Sequence, residues 1–313
     1  MTNQKIFILS PHENWICDRF VNEFKQYYNN IVENPEEADI IWILADWCWK
    51  SIDYQLLKRK KVIVTVHHIV PSKFLTLEQE EFFLRDKIVD VYHVPCQKTK
   101  EQIQNLTLKN IISIPFWVNT EIWKKLSTSK KDLRKKYSID ENCYLIGSFQ
   151  RDTEGKDLIS PKLEKGPDIF CKAVEKISQI KRKENIETKV LLAGWRRQYV
   201  MKRLNELNVS FYYAELPSFD VINDFYNCID LYVVGSRFEG GPQSIVECAA
   251  TKTPIISTDV GIASEILSRV SIFREDTIDV GIAESNISFA YDKVSKLLIP
   301  AGFSEFINLF NIK

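Results

Sequence analysis

Two glutamates, Glu239 and Glu247, stand with seven residues between them inside SRFEGGPQSIVECAATKTPIISTDVG (236–261). The apolar run DLYVV ends at Gly235, Gly240 and Gly241 supply a tight turn, and Pro242 suits the first position of a helix. A helix starting there begins at the carboxyl end of a parallel strand, where ligands of open α/β sheets collect. Its free amides, from Gln243, Ser244 and Ile245, form a site for an anion such as a phosphate. Gln243 and Glu247 lie four apart and share a helix face. A carboxylate one turn beyond a bound phosphate accepts two hydrogen bonds from a ribose diol, a task for an acceptor-only group. Glu239 precedes the turn and falls nearer the group attached beyond the phosphate. A bare glutamate pair also describes an ordinary exposed strand, turn and helix; the whole 26-residue context carries the sharper reading.

Something must hold this segment at a strand end. Short β-branched or apolar runs, KIFIL (5–9), DIIWIL (39–44), KVIVTV (61–66), VDVYHV (89–94) and NIISI (110–114), alternate with helix-length stretches. A second series follows Pro115: CYLIGSF (143–149), TKVLLAGW (188–195), VSFYYA (209–214), DLYVVGS (230–236) and TPIISTD (253–259). Both are the pattern of βαβ units around a parallel sheet. The polar, basic stretch between them, with SKKDLRKKYS as a short exposed helix, places a domain boundary near Trp117. The expected division is 1–117, 118–295 and a terminal segment 296–313 that packs back on the first domain. In that segment Phe303, Phe306, Leu309 and Phe310 fall on one face.

At 313 residues and 45% apolar the chain is long enough for two cores. Lys plus Arg and Asp plus Glu are 42 each, so no global field exists to hold nucleic acid. The basic runs LKRKK (57–61) and KRK (181–183) read as solvated faces and leave only a local, peripheral membrane contact open. Seven scattered cysteines, an odd number without metal-ligand spacing, fit a reducing cytosol, and no apolar run reaches the roughly 18 residues of a membrane span. A cytoplasmic location is expected. Trp42, Trp47 and Trp49 close an apolar strand and read as packing.

The Glu239 to Gly261 stretch closely resembles the signature of glycosyltransferase family 4, whose members retain anomeric configuration and have the GT-B fold: two Rossmann-like α/β domains whose parallel sheets face each other across a cleft. The resemblance is clear from about residue 145 to 267 and thin before it. NIISIPFWVNTEIW (110–123) resembles the segment leading out of the first domain, with Phe116, Trp117 and Asn119 departing from the usual pattern. LIGSFQRDTEGKDLISPKLEKGPDIF (145–170) resembles the opening of the second domain, which places the two cations that bind the donor diphosphate on Arg151 and Lys165, the Arg151 loop being longer than usual. A histidine after the third strand contacts the donor sugar in the family; here that falls on His67, with His68 as the fallback. The loop near Ala214 to Leu216 falls where backbone groups touch the base. Gly261 and Glu265 keep the family pattern, with Ile262 where a second glycine is usual. The first loop, SPHENWICDRF, lacks the glycines with which many relatives approach the diphosphate, so either Asn14, Trp15 and their neighbours do this differently or the first domain is trimmed and contributes less.

The resemblance implies transfer of a hexose from a nucleoside diphosphate sugar to a glycan, lipid-linked or small-molecule acceptor, the acceptor hydroxyl attacking on the face that the nucleotide leaves. Glu239 and His67 would serve the reacting sugar. Neither series offers Asp-x-Asp or a His, Cys and carboxylate cluster, so no divalent metal or other cofactor is expected, and side chains with a helix end would neutralise the leaving diphosphate. The rivals are a nucleotide-sugar-binding protein without turnover and a nucleotide-sugar epimerase of the same architecture.

Overall fold

Among the described residues the ten apolar runs become ten parallel strands, five in each of two sheets. The computed structural model describes residues 4–13 and 16–312, so the expectation for Asn14 and Trp15 lies outside the described residues. The chain forms two compact units, one up to Trp117 and again from Leu297 onward, the other from Val118 to Lys296. Among the described residues no helix is long and apolar enough to cross a membrane.

In the first unit, strands β1 (Ile6–Leu9), β2 (Ile40–Ile43), β3 (Lys61–Thr65), β4 (Val91–Val94) and β5 (Asn110–Ser113) lie side by side in chain order. Side chains alternate along each strand, so Ile40 and Trp42 enter one core layer while Ile41 and Ile43 enter the other. Helix Ile16–Tyr27 brings Phe20 and Phe24 to the first layer. Chain-order pairing still leaves much of that face to be covered, and the terminal helix Ser304–Phe310 covers it. The Phe306 ring lies 5.0 Å from both His93 and Trp117 and 5.5 Å from Trp42. Lys61 ties this helix down: its Nζ donates to the Phe310 carbonyl at 2.9 Å and to that of Ile312, a cation at a helix carboxyl end. The basic run 57–61 is therefore not solvated throughout. Trp42 and Trp49 are buried as packing, whereas Trp47 is 58% exposed.

A buried polar chain crosses this layer. Trp42 Nε1 donates to Thr65 Oγ1 at 2.9 Å, that hydroxyl donates to His93 Nδ1 at 2.9 Å, and His93 Nε2 donates to the Ile114 carbonyl at 2.8 Å. His93 is thereby satisfied only as the neutral imidazole, and burial pushes its pKa from 6.5 to about 3. As pH falls below 6.5 the unfolded chain takes up a proton that the folded chain refuses, so stability is lost on acidification. Between pH 7 and pH 5 this group removes roughly 2 kcal/mol. Denaturant unfolding of wild type and His93→Gln at both pH values checks it: the variant should lose that much less, and equal losses would mean that His93 titrates normally.

In the second unit, strands β6 (Cys143–Ser148), β7 (Glu187–Ala193), β8 (Phe211–Ala214), β9 (Leu231–Val234) and β10 (Ile255–Ser257) take the order β10-β9-β6-β7-β8. Ile146 and Val190 of the sheet pack with Phe170 and Val174 of helix Pro167–Lys183 and with Val200 and Leu204 of helix Gln198–Glu206. Because β9 pairs with β6, the loops that follow these two strands emerge side by side although some 80 residues separate them.

Candidate functional site

Two glycines allow those loops to touch. Gly166, after β6, has φ 58°, and a Cβ on it would lie 1.7 Å from the Gly235 carbonyl oxygen after β9. Backbone therefore meets backbone, and the neighbours in sequence, Lys165 and Ser236, arrive at the same point. Lys165 Nζ donates to Glu239 Oε2 at 2.6 Å, and Ser236 Oγ donates to Glu239 Oε1 at 2.5 Å. Gln150 Nε2 fixes the loop from below through the Lys165 carbonyl at 2.9 Å. The amides of Arg237 and Phe238 both donate to the Glu164 carbonyl, and the Arg237 guanidinium forks onto Asp168 at 2.8 and 2.7 Å. Gly261 closes the other side: at φ 48° it sits where a Cβ would lie 2.1 Å from the Gly240 carbonyl and 2.5 Å from that of Glu239. Glu239 thus stands in a loop fixed on both flanks, its side chain 12% exposed beside that of Lys165 at 24%.

The helix of this segment runs Gln243–Thr251, with Pro242 as its N-cap rather than its first residue. Its first turn closes tightly, since the Ile245 amide donates to the Pro242 carbonyl at 3.0 Å. Ile245 is therefore not among the amides this helix end offers to an anion, and its side chain is fully buried. Gln243 Nε2 turns back to the Gly241 carbonyl at 3.2 Å, and the Ser244 hydroxyl pairs with Tyr232. Glu247, one turn further in, is 7% exposed, and Tyr226 Oη donates to its Oε2 at 2.9 Å. Tyr226 comes from the preceding helix, Phe219–Cys228; burial holds its phenol well above the ordinary range, so it stays a donor. The bond from Tyr226 fixes one Glu247 oxygen on this side of the helix.

The remaining expected residues have other partners. Arg151 lies beyond Gln150; its Nε donates to the Thr153 carbonyl at 2.8 Å and its guanidinium rests 5.4 Å from the Trp195 ring centre. Leu216 follows β8, 64% exposed and with φ 45°. His67 belongs to the first unit, where Nε2 bonds to the Leu44 carbonyl at 2.9 Å and the ring stacks on Phe116 at 5.8 Å. Ser236 and Tyr226 were missed in the sequence. Ser236 was within reach, being the first residue of the quoted motif; Tyr226 leaves no local mark, because only tertiary packing brings it to Glu247. Among the described residues no group of three His, Cys, Asp or Glu side chains comes together as a metal site.

Residues 158–284, all within the second unit and including Lys165, Glu239 and Glu247, match the sequence model of a family described as glycosyl transferases group 1. No curated protein matches the chain. Among solved structures, the chain is similar to Anabaena Alr3699/HepE in complex with UDP and glucose, with TM-score 0.74, 13% identity, and 98% of this chain and 99% of that one covered. It is also similar to a sucrose-phosphate synthase from Thermosynechococcus elongatus, with TM-score 0.66, 14% identity, and coverage of 94% and 77%. A glycosyltransferase from Rickettsia africae gives 0.62, 16%, and coverage of 97% and 83%. The chain has the GT-B fold of two parallel α/β units, and its second unit carries the sequence match to group 1 glycosyl transferases.

Proposed function

We propose that this chain is a retaining hexosyltransferase of the family 4 type, acting in the cytoplasm on a nucleoside diphosphate sugar without a divalent metal. The observation that supports this most is the joined Lys165, Glu239 and Ser236 cluster at the mouth of a helix that carries Glu247 one turn in. Lys165 and the helix end face the diphosphate, Glu247 takes the ribose diol and Glu239 lies on the sugar side. UDP is the natural first donor nucleotide to try, since a similar structure is a complex with UDP-glucose. In the step itself the bond from the anomeric carbon to the diphosphate oxygen breaks with its electron pair leaving on the diphosphate. The acceptor oxygen bonds that carbon and gives up its proton to the departing phosphate. Negative charge grows on the diphosphate as positive charge grows on the sugar, and fixed charges aimed at these two positions lower the barrier.

The donor site has a clean test. Glu247→Ala should weaken UDP by the roughly 1.5 to 3 kcal/mol typical of hydrogen bonds to charged groups, while Lys165→Ala should cost more with UDP than with UMP. Isothermal calorimetry reads both. Equal losses for UDP and UMP would take Lys165 out of the diphosphate site, and unchanged affinity in Glu247→Ala would take away the diol. Incubation of wild type with UDP-sugars then separates transfer or slow hydrolysis from binding without turnover and from an isomerised sugar.

A further inference from the structure

The turn after β2, Asp46–Ser51, is anchored at every position around Trp47. Asp46 meets Arg85 of helix Thr76–Asp86 at 3.1 Å, and that arginine side chain is only 6% exposed. The Cys48 amide donates to the Ala45 carbonyl at 2.9 Å, Trp49 is buried, and Lys50 pairs with Glu81. The Ser51 hydroxyl donates to the Cys48 carbonyl at 2.8 Å. Trp47 itself is 58% exposed. The buried Trp42 and Trp117 give their indole N–H to Thr65 and Glu23, whereas among the described residues nothing accepts from that of Trp47. A single apolar side chain on a mobile surface needs no explanation. Here anchors on either side hold a large aromatic ring in water, against the hydrophobic effect.

Strand β3 pairs with β2, so the loop after it emerges beside this turn. His67 in that loop is fixed at two points: its Nε2 donates to the Leu44 carbonyl at 2.9 Å, and its own carbonyl accepts from Thr99 Oγ1 at 2.9 Å. The imidazole and the Trp47 indole have centres 6.0 Å apart and planes inclined at 44°. They form a rigid corner at the carboxyl ends of β2 and β3, where ligands of open α/β sheets collect. Arg85 and Lys50, the cations bonded at this turn, are already paired with Asp46 and Glu81. Burial, and then the carboxylates of Glu13, Asp46 and Asp18, push the Cys48 thiol above its ordinary value, so acids set the field next to Trp47. A phosphate or carboxylate would be repelled there. A pyranose suits it better: one face presents C–H groups that lie on an electron-rich aromatic face, and its rim hydroxyls can give protons to carboxylates and take one from the indole N–H.

We propose that the exposed face of Trp47, with His67 beside it, is a platform for an uncharged pyranose ring, the terminal sugar of a glycan acceptor. The platform's part in the reaction rests on the glycosyltransferase reading; its binding of a sugar does not. Of the acceptor classes left open by the sequence, it selects a saccharide end over a phosphate-bearing one.

Saturation-transfer NMR on the full chain, with methyl glycosides of glucose, galactose and N-acetylglucosamine as probes, tests the platform. Wild type should pass saturation to the C–H protons of one ring face in at least one of them. Trp47→Ala should weaken that binding about tenfold and Trp47→Phe should recover part of the loss, while UDP affinity by calorimetry stays at the wild-type value in both. Circular dichroism confirms that each variant is folded. No transfer to any of the three glycosides in wild type, or equal transfer in folded Trp47→Ala, overturns the proposal. So does stronger binding of glucose 6-phosphate or of cationic glucosamine than of methyl glucoside, since the occupant would then be chosen by charge. In each of these cases sugar transfer from UDP-sugars would leave the glycosyltransferase reading standing. Trp47-dependent glycoside binding by a chain that binds no nucleotide would keep the platform and remove that reading.

Discussion

Replacing Glu239 by Gln should lower the turnover of sugar transfer about a hundredfold or more at saturating donor while leaving UDP affinity intact or improved. The first half follows from the position of the carboxylate. Glu239 is fixed by Ser236 and Lys165 in a loop that Gly261 and the Glu164 carbonyl hold from either side, so its charge is preorganised. One preorganised electrostatic contact to a charge that exists only in the transition state is worth about 2.7 kcal/mol or more, hence the hundredfold. The second half follows from the ion pair. Gln keeps an acceptor for Ser236 but no longer neutralises Lys165, whose Nζ, 2.6 Å from the carboxylate in the wild type, is released toward a diphosphate. A residue that merely held the loop in shape would lose UDP affinity and turnover together. Turnover measured alongside a UDP titration, on protein whose circular dichroism matches wild type, decides between the two. Wild-type turnover in the variant would show Glu239 to be a surface residue.

How much of this could be read from the sequence depends on whether the information is local. Strands buried on both faces of a parallel sheet read as continuous apolar runs, so IFIL, IIWI and LYVV announce themselves, and each of the ten runs is a strand. The terminal helix announced itself by its four apolar residues on one face, all of them now buried against the first sheet. The turn before the second glutamate was equally local, because Gly240, Gly241 and Pro242 lie within three positions of one another. Pro242 was placed one residue too deep, which is why Ile245 was counted among the free amides; a tight first turn is decided by backbone dihedrals that composition does not reveal.

The partners of the charged residues were not legible, and the reason is sheet order. Chain order runs β6, β7, β8, β9, whereas spatial order places β9 against β6 on one side and β7 on the other. Lys165 and Arg151, fourteen positions apart in one loop, looked like a single diphosphate clamp. In space the loop is divided: its Lys165 end meets the loop after β9 and pairs with Glu239, and its Arg151 end meets the loop after β7 and lies beside Trp195 and Arg196. No spacing within the loop encodes that division. The same holds for Tyr226 and Glu247, which come from two helices packed on the same sheet.

Gly166→Ala should be among the most damaging single changes in the second unit, because it combines two costs at the point where the site is assembled. Gly166 caps helix Pro167–Lys183 with φ 58° and ψ 44°, a left-handed backbone that costs an L-residue about 1 kcal/mol. Its Cβ would also lie 1.7 Å from the Gly235 carbonyl oxygen, a distance that no rotamer relieves because both partners are backbone. One loop must move away, and each carries a ligand of Glu239, Lys165 on one side and Ser236 on the other. A loss of about 3 kcal/mol or more is expected, which for a unit of this size lowers Tm by about 6–12 °C. Gly155→Ala is the control. Gly155 also has positive φ, at 71°, but its Cβ would meet nothing nearer than Asp157 Oδ1 at 3.5 Å. It should therefore show the backbone cost without the overlap, near 1 kcal/mol. Melting curves of the two variants measure the difference, and the fraction of Gly166→Ala that folds at low temperature should bind UDP more weakly than Gly155→Ala does. Equal stability of the two would mean that the loops after β6 and β9 do not approach backbone to backbone, and the geometry that joins Lys165 to Glu239 would fall with it.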